Sequence, residues 1–366
     1  MNILYVSDFY LSLSVFMSQV HTICNYHAKY NKHKVKLIAL CNNKDISLLK
    51  PIDAEYELIK ILKFPRMFVP IINKLRALSL KKTIKEDLLW ADVIHCRGHV
   101  GAAFAINLLN IFKIKKPVIA DIRGAVVEEF VGNNTFISNF YAKEAKKIEK
   151  LIFQKANYLF FVSENMREYY KNKYHFQQQS SVFPTIVDES FFYKSDEIRE
   201  EYRKKLKIGN KITYIYVGGA NYWQNLDKIL LRFNEINIKK PGEYFFIILT
   251  TDIDWVNNFC IKNSIKTDNM YINQVPYNEV GKYLNASDFG IIIRENNIIN
   301  YVASPTKVNE YLACGLKIIN DLDQIGKNER IYEQKYIPIQ EIIKNQNDIY
   351  RYLSGVCDKD NIILTS

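Results

Sequence analysis

The apolar run Phe289-Gly-Ile-Ile-Ile293, closed by Arg294 and followed by Ser304-Pro-Thr-Lys-Val-Asn-Glu-Tyr-Leu-Ala-Cys-Gly315, constrains the fold of this chain more than any other segment. An unbroken apolar run of this kind reads as a parallel strand buried on both faces. Arg294 then stands at its carboxyl end, where open α/β sheets bind their ligands. Ser304-Pro305-Thr306 reads as a helix start, a short polar cap followed by proline in the first turn. Val308, Tyr311 and Leu312, extended by Leu316, give that helix an apolar face, and Gly315 supplies the stop. A helix N-terminus carries unpaired N–H groups and partial positive charge, so Lys307 beside it makes an anion site. Glu310 lies one turn deeper, where a carboxylate can accept hydrogen bonds from a ribose. Phosphate beside ribose describes a nucleotide.

At 366 residues the chain exceeds one ordinary core, and two domains are expected. The six cysteines are scattered without a Cys-x-x-Cys pair, which argues against structural zinc and a disulfide framework and suits a reducing cytosol. The apolar stretch Ile3–Val6 is too short for a signal peptide and ends at Asp8, and no run approaches membrane-spanning length. The expected location is cytoplasmic. Residues 1–185 hold 27 Lys and Arg against 15 Asp and Glu, whereas residues 186–366 hold 23 against 24. A positive excess confined to one half points to what that half faces, nucleic acid or an anionic membrane surface. Phe64–Lys82 mixes a dense apolar face with Arg66, Lys74, Arg76, Lys81 and Lys82. It suits either the inner face of a plasma membrane or a core-facing helix with a solvated basic side.

Further strands are expected at Asn2–Ser7, Val35–Leu40, Ala91–Cys96, Pro117–Asp121 and Tyr158–Ser163, with a helix over about 14–30. The opening is Rossmann-like, yet Asp8–Ser14 has no glycine, so a dinucleotide fingerprint is absent. A second series runs through Ile212–Val217, Tyr244–Leu249, Met270–Ile272 and Lys317–Asn320, with helices to about Glu235 and over about 349–356. Gly218-Gly219 ends its first strand, either letting a diphosphate approach the backbone or making a plain turn. Asp252-Ile-Asp254 has the spacing of a metal-binding pair, but its place before Trp255 fits a helix cap better, so no metal is expected.

The ordered set Arg294, Asn300, Ser304, Pro305, Thr306, Lys307, Glu310, Tyr311, Leu312, Ala313, Cys314, Gly315 resembles the retaining glycosyltransferases of family 4, in their bacterial polysaccharide branch. An ordinary capped helix on a strand would explain Ser304 and Gly315 but not Arg294 with Lys307 and Glu310. The resemblance implies the α/β GT-B class, two Rossmann-like domains facing each other across a cleft. It places an acceptor-side domain at 1–185, with Val182–Asp188 as the crossing, and a nucleotide-sugar domain at 186–345. A helix over 346–366 would pack back across the domains. It implies a metal-independent hexosyltransferase moving sugar from a UDP- or GDP-sugar to a glycan or lipid-diphosphate-linked acceptor, as in capsule or O-antigen synthesis. No further cofactor is implied.

On this reading Arg294, Lys307 and Arg123 are catalytic, the first two neutralising the leaving diphosphate. Ser304, Pro305, Thr306, Glu310, Gly218, Gly219 and Gln224 bind the donor, and Trp223 stacks near it or fills the interdomain seam. Asp8, His95 and Asp121, beside Arg97, sit at strand ends on the acceptor or sugar side. Many relatives carry histidine near the position of Arg123. The first glutamate of the family's Glu-x7-Glu pair is replaced by Val302. A nucleotide-sugar epimerase on the same architecture, and a non-catalytic scaffold, are the alternatives. No recognition-helix or RNP-type motif supports nucleic-acid binding.

Overall fold

The computed structural model describes residues 1–8, 16–41, 54–62, 67–132, 135–220, 224–295, 297–327 and 336–355. The chain divides into two compact units. The first comprises Met1–Thr185, Tyr301–Ser304 and the segment from Pro338 onward, and the second Ile186–Asn300 and Pro305–Ile337.

The first unit is built on β1 (Asn2–Asp8), β2 (Lys34–Cys41), β3 (Glu57–Leu62), β4 (Val93–Arg97), β5 (Val118–Ile122), β6 (Tyr158–Phe161) and β7 (Gln179–Val182). They form one sheet in the order β3-β2-β1-β4-β5-β6-β7, every pairing parallel. Strands β4, β5 and β6 are buried throughout, which is why their sequences show no alternation. The two outermost strands, β3 and β7, are absent from the sequence reading. Edge strands need not be apolar on both faces, and Glu57-Leu-Ile-Lys-Ile-Leu62 and Gln179-Ser-Ser-Val182 hide among polar residues. The helix expected over 14–30 is a π-helical turn, Met17–His21, running into Thr22–Lys29. Helix Gly98–Phe112 is buried almost all round, and a Cβ on Gly101 would stand only 3.1 Å from the Val6 carbonyl oxygen of β1.

The last described helix, Ile339–Leu353, starts ten residues before the expected 349, and residue 356 lies outside the described residues. Its buried stripe of Ile339, Ile342, Ile343, Gln346, Ile349 and Tyr350 has helical spacing, masked in sequence by the intervening Lys-Asn-Gln-Asn-Asp. The stripe is pinned by polar contacts: Gln346 to His27 Nε2 at 3.0 Å, Asn347 to His33 at 2.6 Å and the Tyr350 hydroxyl to His95 Nδ1 at 2.5 Å.

The second unit carries β8 (Ile212–Val217), β9 (Tyr244–Leu249), β10 (Met270–Asn273), β11 (Phe289–Ile291) and β12 (Lys317–Ile319). These too are parallel, in the order β10-β9-β8-β11-β12. Strand β11 stops at Ile291 rather than Ile293, with one further ladder bond from Ile292 N–H to the Ile319 carbonyl at 2.8 Å. Helix Thr306–Ala313 lies on this sheet through Tyr311, fully buried, whose hydroxyl accepts the Val217 N–H at 3.2 Å. Gly290 permits that approach, because a Cβ there would run into the Tyr311 ring. Gly290→Ala is therefore expected to lower unfolding free energy by roughly 1–3 kcal/mol in a urea titration, the usual cost of overpacking a filled core. Unchanged stability would contradict this packing.

Candidate functional site

In each unit the strand order reverses once, between β1 and β4 and between β8 and β11. At such a switch point the connections leave in opposite directions, and a crevice opens at the carboxyl ends of the two strands. In the second unit this crevice is lined by Tyr216, Val217, Gln224, Ile291, Ile292, Ile293, Arg294 and Lys307. The structure thus brings together Arg294, Lys307, Gln224 and Gly218 from three separate segments.

Lys307 is the centre of this group. Its Nζ stands 3.4 Å from Gln224 Oε1 and 5.7 Å from the centroid of the Tyr216 ring. The Tyr216 hydroxyl lies 2.5 Å from the same Gln224 oxygen and 2.6 Å from the Gly219 carbonyl oxygen, so it braces both segments. Gly218 has φ +155°, and a Cβ there would collide with Lys307 Nζ and meet Gln224 Oε1 and the Tyr216 hydroxyl. The glycine is thus required by space and by backbone conformation. Asp252 does precede a helix, Ile253–Lys262, but its side chain does not cap it. Its Oδ2 accepts the Ala220 N–H at 2.7 Å and so fixes the turn after the glycines.

Burial, reinforced by the Arg294 guanidinium, pushes the Lys307 amine down to about 8, against an opposing pull from Glu310. Burial likewise pushes the Glu310 carboxyl up to about 7, opposed by the Tyr277 hydroxyl, which donates to Oε1 at 3.0 Å, and by Lys307. Tyr277 and Tyr216 serve this site without any sequence signal for that role, whereas Tyr311 is legible on the apolar face of its helix. The placement of the first two depends on which side chains of distant elements meet.

Helix Thr306–Ala313 is headed by Pro305, and no side chain caps it. The expected Ser304 cap is thereby corrected: the Ser304 hydroxyl is turned to Thr185, whose N–H reaches its Oγ at 3.4 Å and whose hydroxyl reaches its carbonyl at 3.2 Å. Pro305 and Thr306 form the uncapped start. Asn300 holds the preceding loop, donating from its side chain to the Glu295 carbonyl at 2.8 Å. Val302 is buried, and its carbonyl accepts the Ser163 hydroxyl at 2.7 Å. Trp223 lies outside the described residues.

In the first unit, Asp8 ends β1, and His95 and Arg97 lie in β4, on the two strands of the other switch point. Asp121, in β5, is fully buried. Arg123 Nε stands 2.7 Å from its Oδ1, while His95 Nε2 and Arg97 Nη1 stand 3.5 and 3.6 Å from its Oδ2. Burial alone would raise the Asp121 carboxyl, but Arg123, His95 and Arg97 hold it well below the ordinary carboxylate range. His95 is held low by burial. Neither His95 nor Asp121 is exposed to solvent, so both act as anchors behind Arg97 and Arg123 rather than as surfaces for a ligand. Arg123 also donates to the Phe183 carbonyl at 3.2 Å. Among the described residues no cluster of His, Cys, Asp or Glu has the makings of a metal site.

Two parallel, doubly wound units with their polar groups at the switch points define the GT-B fold, and solved structures bear this out. Anabaena HepE in complex with UDP superposes with a TM-score of 0.63 at 10% identity, covering 96% of this chain and 90% of that one. Sucrose-phosphate synthase from Thermosynechococcus elongatus gives 0.62 at 11% identity, covering 97% and 90%. A glycosyltransferase from Rickettsia africae gives 0.62 at 14% identity, covering 97% and 91%. Residues 18–191, which lie in the first unit but for the last six, match the model of Glycosyltransferase Family 4. No curated protein sequence matches the chain.

Two outcomes follow from the electrostatics. An anion that requires charged Lys307 is expected to bind roughly fivefold more weakly at pH 9 than at pH 8, as the amine deprotonates above its folded-state value. Titration calorimetry with a nucleoside diphosphate checks this, and a flat profile contradicts it. The folded state also holds the Glu310 proton more tightly than the unfolded chain. The stability this contributes is complete below about pH 4.5 and is lost as pH rises through about 7. Glu310→Gln removes that loss, so the variant is expected to gain on wild type by about 3 kcal/mol between pH 4.5 and 8 in denaturant unfolding.

Proposed function

We propose that the chain transfers a sugar from a nucleotide-sugar to a glycan acceptor, with the donor held in the second unit. The observation that carries this reading is the buried Lys307 amine beside Arg294, under a glycine turn with no side chain in the way. The desolvated Lys307 amine, with the exposed Arg294 guanidinium lining the same crevice, favours an anion with at least two charges, and a diphosphate supplies them. The uncapped helix start at Thr306 adds N–H donors to the same anion. Glu310, one turn deeper and near neutrality, suits the hydroxyls of a ribose.

In this mechanism the bond between anomeric carbon and diphosphate oxygen lengthens as charge gathers on the leaving oxygens. Arg294 and Lys307 stabilise that charge more in the transition state than in the ground state, which lowers the barrier. They do so without a divalent ion. Arg123, tethered by Asp121, bears on the transferred sugar or acceptor, with Asp8 at the end of β1 on the same side. The transfer retains configuration at the anomeric centre, by kinship with the family. HepE has been solved in complex with UDP, with UDP and glucose, and with UDP-glucose, which favours a UDP-sugar over a GDP-sugar here. The acceptor is a lipid-diphosphate-linked glycan of a surface polysaccharide such as capsule or O-antigen, extended on the cytoplasmic side of the membrane. Val302 leaves the usual first glutamate's contact to another group.

A thermal-shift screen with UDP, GDP, ADP and CMP and their sugars, with and without EDTA, tests the donor. One nucleotide is expected to raise the midpoint of wild type, indifferent to EDTA, and to leave Lys307→Ala unmoved. With that sugar as donor, Lys307→Ala and Arg294→Ala are each expected to lower kcat by about a hundredfold or more. No response to any nucleotide would remove this reading.

A further inference from the structure

The first unit exposes a set of large apolar side chains that nothing in its interior or its chemistry requires. Phe136 is 91% exposed, Ile137 63% and Phe140 51%, all in the first turns of helix Phe136–Lys155. Ile71 is 60% exposed and Leu75 50%, on helix Pro70–Ser79, with Leu78 and Val131 also exposed. Singly such residues are ordinary, but a contiguous group is not. A nest of aromatic rings draws the group together. Phe68, just before helix Pro70–Ser79, packs its ring 4.8 Å from both Phe130 and Tyr141, and Phe140 packs 5.6 Å from Tyr141. The start of helix Pro70–Ser79, the end of helix Val126–Gly132 and the start of helix Phe136–Lys155 therefore share one edge.

The pattern along these helices says what the edge meets. On helix Phe136–Lys155 a single exposed stripe at helical spacing runs Phe136, Phe140, Lys143, Lys147, Lys150, apolar at the tip and basic behind it. On helix Pro70–Ser79 the exposed stripe is Ile71, Lys74, Leu75, Leu78. Glu144 is the acid beside the first stripe, and it pairs with Lys147. Glu129, near the ring nest, turns toward Gly124. Helix Phe136–Lys155 is anchored through its C-terminal half: buried Glu149 accepts from Lys173 at 2.9 Å and from the Tyr170 and Tyr174 hydroxyls at 3.0 and 2.5 Å. A protein partner would be met by a flat apolar face with a mixed rim. Aromatic tips one or two turns ahead of a ladder of lysines instead match the depth profile of an anionic bilayer, acyl boundary first and headgroups behind.

We propose that this edge is a membrane-docking surface: Phe136, Ile137 and Phe140, with Ile71 and Leu75, enter the acyl boundary of an anionic bilayer while Lys74, Lys143, Lys147 and Lys150 engage its headgroups. The assignment does not depend on the transfer chemistry. It draws on four of the 27 basic residues that residues 1–185 hold against 15 acidic ones.

The test is sedimentation of the full chain with phosphatidylcholine vesicles, with and without phosphatidylglycerol. Wild type is expected to pellet with the anionic vesicles alone. Lys143→Glu/Lys150→Glu is expected to weaken that partition by at least about twenty-fivefold, at roughly fivefold per lysine, and Phe136→Ser/Phe140→Ser to bring the protein back to the supernatant. Both double variants should keep the wild-type melting midpoint and nucleotide response, which separates this proposal from the donor site. In Phe136→Trp, the emission of the added tryptophan, taken as the difference from wild type, is expected to shift to the blue on adding anionic vesicles. Wild type that ignores the vesicles, variants that bind as wild type does, or an added tryptophan whose emission does not shift would each overturn the proposal. So would a wild-type dimer that Phe136→Ser/Phe140→Ser dissociates, because the edge would then join two copies of this chain.

Discussion

The second unit is organised around one unfavourable arrangement, the Lys307 amine buried next to the Arg294 guanidinium, with no carboxylate among the described residues in ion-pair contact with the amine. The Lys307 amine loses hydration and is repelled by the exposed Arg294 guanidinium, and the surrounding side chains hold it there despite that cost. Tyr311 fixes helix Thr306–Ala313 to β8 and Gly290 lets it sit close, which sets where the Lys307 side chain starts. Gly218, Gln224 and Tyr216 then shape the space above the amine. The buried Lys307 amine, which has the neutral Gln224 oxygen at 3.4 Å, would gain far more from a polyanion, which is how a site stores affinity for charge that appears during a reaction.

The first unit solves the opposite problem. Asp121 is fully buried and is surrounded by Arg123, Arg97 and His95, while His95 is held from the other side by Tyr350 of the last described helix. Burial, with Arg123 nearby, pushes Arg97 down to about 10. A carboxylate at the centre sets the orientation of two arginines at the carboxyl ends of β4 and β5. Helix Ile339–Leu353 thus contributes to this centre by packing, through a hydroxyl and a histidine, rather than by offering a ligand group of its own.

Much of this was legible in the sequence for a physical reason. Strands buried on both faces must be continuously apolar, so β1, β2, β4, β5, β6, β8 and β9 announce themselves, and the cations of the site follow a strand end and a proline-marked helix start. The edge strands β3 and β7 were hidden because one side of each is not covered by a neighbour. Helix Ile339–Leu353 was read late because its buried stripe includes Gln346 among polar neighbours. Ser304 resembled a cap by residue type, but its hydroxyl was claimed by Thr185, a contact of long sequence separation. The roles of Tyr277 and Tyr216 were invisible for the same reason: no local pattern tells that the first donates to Glu310 or that the second braces Gln224.

The central claim is that the Lys307 amine, held largely neutral by burial above about pH 8, is recharged by the diphosphate of the donor. Proton uptake on nucleotide binding measures this directly, from calorimetric titrations at about pH 8.5 in buffers of different ionisation enthalpy. Glu310 is already ionised there, so it adds little to the count. The account predicts a net uptake of roughly three-quarters of a proton per nucleotide in wild type, lost in Lys307→Ala. Binding without proton uptake, or uptake that survives the loss of Lys307, would contradict it.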